Sequence, residues 1–202
     1  NEDEKLMKEN IYKVAMAASS LAQLKVGALI VFEKDIKLKE IIDNGIRINA
    51  DVSIQLLKNI FEKDTPLHDG AVIISEGRVM SACSILPLAV DNNINKAFGT
   101  RHRAALGISK NSDAIAVVVS EETGKISVAK NNILKVDIKE EGLKKLLLKY
   151  LLNIEIDKDS KQNDNIILRK MKKVKEKFRK KEINQKKIHN NKEEEINEGK
   201  KR

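Results

Sequence analysis

Two uninterrupted apolar runs constrain the fold of this chain more than any other feature. Residues 26–32 read VGALIVF and residues 114–120 read AIAVVVS. Runs of this length and composition are typical of strands that are buried on both faces. A sheet that is covered on both faces needs helices on each side, so the runs predict an α/β fold.

The segments around these runs supply helices and further strands. Apolar residues recur at helical spacing in residues 4–22, 51–63 and 139–152, and a short helix is predicted over 38–43. Asp51 or Ser53 is the expected N-cap of the helix over 51–63. A hairpin is predicted from 71–75 and 78–84 around Glu76-Gly77, and residues 126–129 return after the second run. The pattern predicts a mixed, twisted central β-sheet flanked by helices.

The net charge of +9 is concentrated at the C-terminal end of the 202 residues. Residues 155–202 hold 17 Lys/Arg and 10 Asp/Glu, a net of +7, whereas residues 1–154 hold 22 and 20, a net of +2. The near-neutral part, with 3% aromatic residues overall, is not expected to bind a specific nucleic acid. The basic tail is predicted to be partly helical or disordered. Its alternatives are a basic amphipathic helix for a membrane or protein partner, or a tail-driven nucleic-acid contact.

Several classes of site are missing from the sequence. Cys83 is the single cysteine, so no intramolecular disulfide can form, which fits a reducing compartment. The sequence contains no Gly-x-x-x-x-Gly-Lys-Ser/Thr loop, no Gly-x-Gly-x-x-Gly fingerprint and no His-Glu-x-x-His pair. No apolar run approaches the roughly 20 residues of a membrane span. Because the chain begins with Asn, we expect a trimmed N-terminus.

The segment Gly99-Thr100-Arg101-His102-Arg103 departs from a rule of helix starts. Good helix formers follow it, and Thr100 is the expected N-cap. The first turn of a helix favours acidic residues, yet this one carries two arginines and a histidine. An anion would satisfy the arginines, the free N–H groups and the helix dipole together, so a polyphosphate ligand is predicted here.

Two further segments carry candidate metal ligands. His68-Asp69-Gly70 precedes a predicted buried strand, where Asp69 suits Mg²⁺ or Mn²⁺, His68 suits Mn²⁺ or Co²⁺, and Gly70 lets a ligand approach the backbone. The segment 120–124 places two acids after the second buried run. Taken alone, the first segment is an ordinary Asp-Gly turn and the second a hairpin turn with solvated carboxylates. Leu86, by the same standard, is a core residue.

In this order and spacing, the segments resemble the diadenylate cyclase domain, which makes cyclic di-AMP from two ATP molecules. The resemblance covers about residues 25–152 and rests on the following segments: VGALIVFE at 26–33, DTPLHDGAVI at 64–73, LPL at 86–88, GTRHRAA at 99–105, GIS at 107–109, VSEETG at 119–124 and SVA at 127–129. Together with the helical spacing near the N-terminus and the change of composition near residue 155, it predicts three parts: an N-terminal amphipathic helix over 1–24, a diadenylate cyclase catalytic domain over 25–154 and a basic charged tail over 155–202, which lies outside the shared pattern.

The resemblance also implies roles for individual residues. Asp69 would hold the divalent metal (Mn²⁺, Mg²⁺ or Co²⁺) and help deprotonate the attacking hydroxyl, with His68 and Glu122 as further metal ligands. The remaining roles concern ATP: Gly70 and Ala71 lie against the nucleotide, Leu86 against the adenine, Thr100, Arg101, His102 and Arg103 against the triphosphate, and Ser120 and Glu122 beside the phosphates.

A one-chain, one-ATP site requires two chains to face each other, so a catalytic homodimer is predicted. Similar family members carry transmembrane helices ahead of the domain, which implies a cytoplasmic domain tethered to the inner face of the membrane. The alternative function is a nucleotide-binding sensor or partner-binding module without turnover.

Overall fold

The structure, a computed structural model, describes residues 2–89 and 98–154. Five helices and seven strands lie in these two ranges: α1 (Glu2–Gln23), β1 (Ala28–Phe32), α2 (Lys39–Asp43), β2 (Ile46–Asp51), α3 (Ile54–Ile60), β3 (Ala71–Ser75), β4 (Arg78–Ser84), α4 (Thr100–Asn111), β5 (Ile115–Val119), β6 (Ile126–Lys130), β7 (Ile133–Lys135) and α5 (Glu140–Leu152). The predictions for the tail over 155–202 fall outside these residues.

The strands form one mixed sheet in the order β2-β4-β3-β1-β5-β6-β7. Strand β1 pairs parallel with β3, and every other neighbouring pair is antiparallel. The two apolar runs become β1 and β5, which are central neighbours and are buried at every residue. The predicted α/β class and mixed sheet are therefore confirmed.

Helices cover both faces of the sheet. Leu29 and Val31 of β1 join an apolar cluster with Ala105 and Ile108 of α4. The alternate residues of β1 point to the opposite face and are equally buried. Helix α1 lies over that face, where it contacts α3, α5, β5 and β6. No helix of the described ranges is long and apolar enough to cross a membrane.

The β3–β4 hairpin shows why its turn was predictable. Glu76 and Gly77 connect the strands, and both have positive φ, at 50° and 75°. Two positive φ values are the signature of the two-residue turn whose twist matches that of the strands it joins. The hairpin prediction is confirmed at both of its strands.

Two strands at the edges of the sheet were not predicted. Residues 46–51 form β2, in which no residue is fully buried, and its pairing with β4 is irregular between Arg47 and Ala50. Asp51 therefore belongs to a strand, where it pairs with Arg78, and it does not cap a helix. Ser53 is the N-cap of α3, because its hydroxyl accepts a hydrogen bond from the Leu56 N–H at 3.1 Å. The other missed strand is β7, only three residues long.

Candidate active site

The residues that were predicted to bind a ligand lie at one end of the central strands. Because β1 and β3 are parallel while β4 and β5 run the other way, the starts of β1 and β3 meet the ends of β4 and β5. A cleft of about 840 Å³ opens where these strand ends meet. Its volume falls within the range of roughly 300–1,000 Å³ that is usual for small-molecule sites.

Most predicted site residues line this cleft. The loop before β3 contributes His68, Asp69 and Gly70, the start of α4 contributes Thr100, Arg101 and His102, and the turn after β5 contributes Ser120 and Glu122. Leu86 lines it from the segment that follows β4. Residues scattered over more than 50 positions of sequence are thus brought to one place by the strand order.

Ala71 and Arg103 do not line the cleft. Ala71 is fully buried at the start of β3, inside the apolar cluster under α4. Arg103 follows Arg101 by two residues, which is about 200° around a helix, so the two side chains leave α4 in nearly opposite directions. Arg101 is the arginine that lines the cleft of a single chain, and the expected role of Arg103 in binding the triphosphate stays a prediction.

Gly70 is required by the backbone of the neighbouring strand. Its φ is +95°, and a Cβ there would lie 2.8 Å from the Cys83 carbonyl carbon and 2.9 Å from the Ser84 oxygen. Cys83 itself has a φ of 56°, at a point where the β3–β4 register shifts. The backbone of the loop that carries Asp69 therefore packs directly against β4, and Asp69 lines the cleft beside it.

One of the two ring nitrogens of His68 is held by a hydrogen bond, and the other is not part of that bond. Its Nδ1 lies 2.6 Å from the Thr65 carbonyl oxygen. A carbonyl only accepts, so Nδ1 donates to it, and in the neutral form of the ring Nε2 then carries the lone pair. Histidines that bind metals commonly hold their other ring nitrogen in this way. Asp69, the next residue, is exposed and available as an oxygen ligand.

Helix α4 begins one residue earlier than predicted. Gly99 is the N-cap, and Thr100 is already the first helical residue, so the prediction of Thr100 as N-cap was wrong. Gly99 has no side chain to cap the helix, and the first turn holds no acidic residue. The N–H groups of this turn therefore open toward the cleft without a side-chain acceptor, an arrangement that favours an anion.

Arg101 is the principal cation of the cleft. Its Nη1 donates to Glu121 Oε2 at 3.0 Å, and its side chain is 21% exposed against 61% for that of Glu121. The sequence made both acids of this turn candidate metal ligands, and the family resemblance implied a role only for Glu122. The structure shows that Glu121 supplies part of the negative charge that the basic helix start was predicted to need.

His102 is not a cation at neutral pH. It is buried, and its ring stacks on Phe98 with centroids 5.1 Å apart. Burial lowers the pKa of His102 below its ordinary value of 6.5, and the charge of Arg101 lowers it further, while Glu122 acts in the opposite direction. The expected cluster of two arginines and a charged histidine therefore reduces, inside the cleft, to one guanidinium.

Apolar residues form one wall of the cleft. Leu86 is only 6% exposed and belongs to the apolar cluster under α4, so its default interpretation as a core residue is correct. Its neighbours Ile85 and Leu88 are 72% and 50% exposed and line the same wall. These two residues offer more surface to a flat apolar ligand than Leu86 does, although the family resemblance implied a role only for Leu86.

A model of the DAC family, described as DisA bacterial checkpoint controller nucleotide-binding, matches residues 15–134. This range spans more than half of the chain and contains every residue that lines the cleft. The chain belongs to the DAC family. The family resemblance identified from the sequence is thereby confirmed.

Relatives in the DAC family are substantially similar in sequence. A protein named diadenylate cyclase from Listeria monocytogenes is 47% identical over 150 residues, which are 74% of this chain and 55% of that protein. The cyclic di-AMP synthase CdaA of Bacillus subtilis is 44% identical over 144 residues, or 71% of this chain and 53% of CdaA. The chain thus spans about half the length of these curated relatives.

Solved structures show the same DAC fold. A crystal structure of a double mutant of DacA from Staphylococcus aureus superposes with a TM-score of 0.70 at 44% identity, covering 74% of this chain and 98% of that one. A hypothetical membrane spanning protein from Bacillus cereus gives a TM-score of 0.60 at 44% identity, covering 62% of this chain and 61% of that one.

Proposed function

We propose that this chain is a diadenylate cyclase, which joins two ATP molecules into cyclic di-AMP and releases two pyrophosphates. The observation that carries the proposal is the placement of Asp69 in the same cleft as Arg101 and the uncapped start of α4. An acid and an anion-binding helix start are what a transfer reaction at a phosphate needs. The names of the relatives support the same activity.

The shape of the cleft suggests where each part of ATP binds. The triphosphate lies at the start of α4, where Thr100 and Arg101 offer a hydroxyl, a guanidinium and backbone N–H groups. Adenine lies against the apolar wall of Ile85, Leu86 and Leu88. Ser120, which lines the opposite side, is within the phosphate region, although its hydroxyl also accepts from the Thr123 N–H at 3.2 Å.

The charges in the cleft support a divalent cation. Asp69, Glu121 and Glu122 face a single guanidinium, so an incoming triphosphate adds negative charge to an excess of carboxylates. Within residues 2–89 and 98–154, no three His, Cys, Asp or Glu side chains are grouped to hold an ion by themselves. Asp69 would therefore hold the cation together with phosphate oxygens, as Mg²⁺ is usually bound, and His68 and Glu122 remain the further candidate ligands. When bound, Mg²⁺, Mn²⁺ or Co²⁺ supplies charge neutralisation and lowers the pKa of the attacking hydroxyl.

The residues of the chain act mainly by positioning and by moving one proton. The 3′-oxygen of one ATP forms a bond to the α-phosphorus of the second, and the bond from that phosphorus to pyrophosphate breaks. Asp69 accepts the proton of the 3′-hydroxyl, and Arg101 balances charge on the phosphates. The same exchange in the opposite sense closes the ring.

Ring closure requires a homodimer in which two clefts face each other across a two-fold axis. We expect an excess of the Asp69→Asn chain to suppress cyclic di-AMP formation by the wild type, because a mixed dimer lacks one of the two acids that the two bonds need. Product formation that stays proportional to the wild-type chain alone would exclude catalysis shared between two chains. We further propose that the full-length protein is tethered at the inner face of the membrane, because the structurally similar Bacillus cereus protein is described as membrane spanning.

The activity is tested by incubating the chain with ATP and Mn²⁺, Mg²⁺ or Co²⁺ in turn and detecting cyclic di-AMP by mass spectrometry. We expect a product from the wild type and none from Asp69→Asn. A wild type that binds ATP but never forms the cyclic product would replace the proposal with a nucleotide-binding sensor.

A further inference from the structure

Gly27 lies directly beneath the Arg101 guanidinium. It precedes β1 at the strand ends where the cleft opens. Its neighbour Ala28 pairs there with Val119, the last residue of β5. A Cβ at Gly27 would lie 2.3 Å from Nη1, 2.6 Å from Cζ and 3.1 Å from Nη2 of Arg101. All three distances involve the guanidinium, so the charged group rests on the bare backbone of Gly27.

Few other contacts fix the guanidinium in this position. Its Nη1 donates to Glu121, and its Nε is buried without a hydrogen-bond partner among the described residues. The group is therefore held between a backbone surface at Gly27 and one carboxylate at Glu121. A small change at either contact is expected to move it.

We propose that Gly27 is a positioning residue for nucleotide binding. Because it has no side chain, the Arg101 guanidinium packs against its backbone in the position that binds the triphosphate. The inference rests on the proposed binding of ATP in this cleft. It assigns a role to a residue that does not line the cleft and was not among the predicted site residues.

The contact geometry separates this role from a role in folding. A methyl group at position 27 meets the far end of a flexible side chain, which can move away at little cost, and the backbone of Gly27 is outside the left-handed region. The guanidinium must retreat by at least 0.7 Å, from 2.3 Å to the 3.0 Å below which such contacts are essentially never found. We therefore expect Gly27→Ala to fold normally while Arg101 is displaced.

The test compares the binding of a non-hydrolysable ATP analogue with Mg²⁺ by calorimetry. Because a hydrogen bond between charged groups is worth about 10- to 100-fold in binding, we expect displacement of the guanidinium in Gly27→Ala to weaken binding by about that factor. Gly142→Ala is the matched control: it lies in α5 outside the cleft, with an ordinary contact of 3.4 Å, and should bind as the wild type does.

The decisive comparison is made in an Arg101→Ala background. If Gly27 acts through the guanidinium, adding Gly27→Ala there should cause no further loss of binding. An equal loss in both backgrounds, or no loss in the wild-type background, would overturn the inference. Melting temperatures of all variants identify any that are unfolded. Glu121→Gln keeps the size of the side chain and removes its charge, so it tests the other contact that holds the guanidinium.

A nucleotide-free measurement keeps this inference separate from the proposed activity. The Nε–H resonance of Arg101 in a ¹H–¹⁵N spectrum, assigned by its loss in Arg101→Lys, should shift in Gly27→Ala and stay in place in Gly142→Ala. An unchanged resonance would overturn the inference even in an active cyclase. A shifted resonance in a chain that makes no cyclic di-AMP would refute the proposed activity, while the positioning of Arg101 by Gly27 would still hold.

Discussion

Substituting Gly107 by alanine should disturb both the stability of the domain and its apolar wall. Gly107 lies in α4 against the chain that follows β4: a Cβ there would be 1.8 Å from the Pro87 oxygen and 3.1 Å from the Ala89 nitrogen. The same segment is tied to the helix by a hydrogen bond of 3.0 Å from the Ala89 N–H to the Arg103 oxygen. The methyl group thus meets the backbone of residues 87–89, which cannot move aside as a flexible side chain can.

The expected magnitude follows from this overlap. Moving from 1.8 Å to 3.0 Å requires a displacement of at least 1.2 Å between α4 and the segment. Overpacking of this kind costs about 1–3 kcal/mol, and a weakened Ala89–Arg103 bond adds about 1 kcal/mol. The better helix propensity of alanine returns about 1 kcal/mol. We expect a net loss of about 1–3 kcal/mol, equivalent to roughly 3–10 °C in melting temperature.

The assay is thermal and urea unfolding followed by circular dichroism, together with calorimetry of ATP binding. Because Leu86 and Leu88 flank Pro87, the displaced segment should also weaken binding of the adenine. Gly142→Ala is again the control, and its exposed position in α5 predicts a gain of up to about 1 kcal/mol. A Gly107→Ala protein as stable as the wild type would refute the packing of residues 86–89 against α4.

Two further predictions concern buried ionisable groups. Burial tends to raise the pKa of Glu33, but hydrogen bonds from the Leu38 N–H, Ser75 and Lys37 outweigh it and hold the pKa below 4.5. This stabilisation is present above about pH 4.5 and is lost as pH falls through the folded-state pKa. Glu33→Gln should cost about 1–3 kcal/mol at pH 7 in urea unfolding, whereas the exposed Glu76→Gln should cost little. Because the pKa of His102 is lowered in the folded state, the unfolded chain takes up its proton first, and stability should fall as pH drops below about 6.5. The slope of melting temperature against pH in that range should flatten in His102→Gln, and an unchanged slope would contradict the burial of a neutral His102.

The central strands and the hairpin could be predicted because their signals are local. Burial on both faces of β1 and β5 appears in the sequence as continuous apolar runs. The turn at Glu76-Gly77 requires positive φ at both residues, and a glycine in the turn is a local signal of that requirement. Edge strands lack such signals: β2 is exposed along most of its length and β7 has three residues, so their formation depends on pairing with partners that are distant in sequence.

The site was predictable in composition but not in detailed geometry. The sequence identified Asp69 and Arg101, and the strand order brings them to one cleft. It could not show that Arg101 lines the cleft and Arg103 does not, since this depends on where α4 begins and on which side of the helix faces the sheet. The roles of Glu121 and Gly27 depend on a contact across the ends of β1 and β5, which no local pattern encodes.

The most direct measurement of the central claim is a crystal structure of the protein with a non-hydrolysable ATP analogue and a divalent cation. We predict the triphosphate at the start of α4, in contact with the Arg101 guanidinium and the N–H groups that follow Gly99, with the cation at Asp69. A nucleotide bound elsewhere, with Arg101 still paired to Glu121 and facing water, would contradict it.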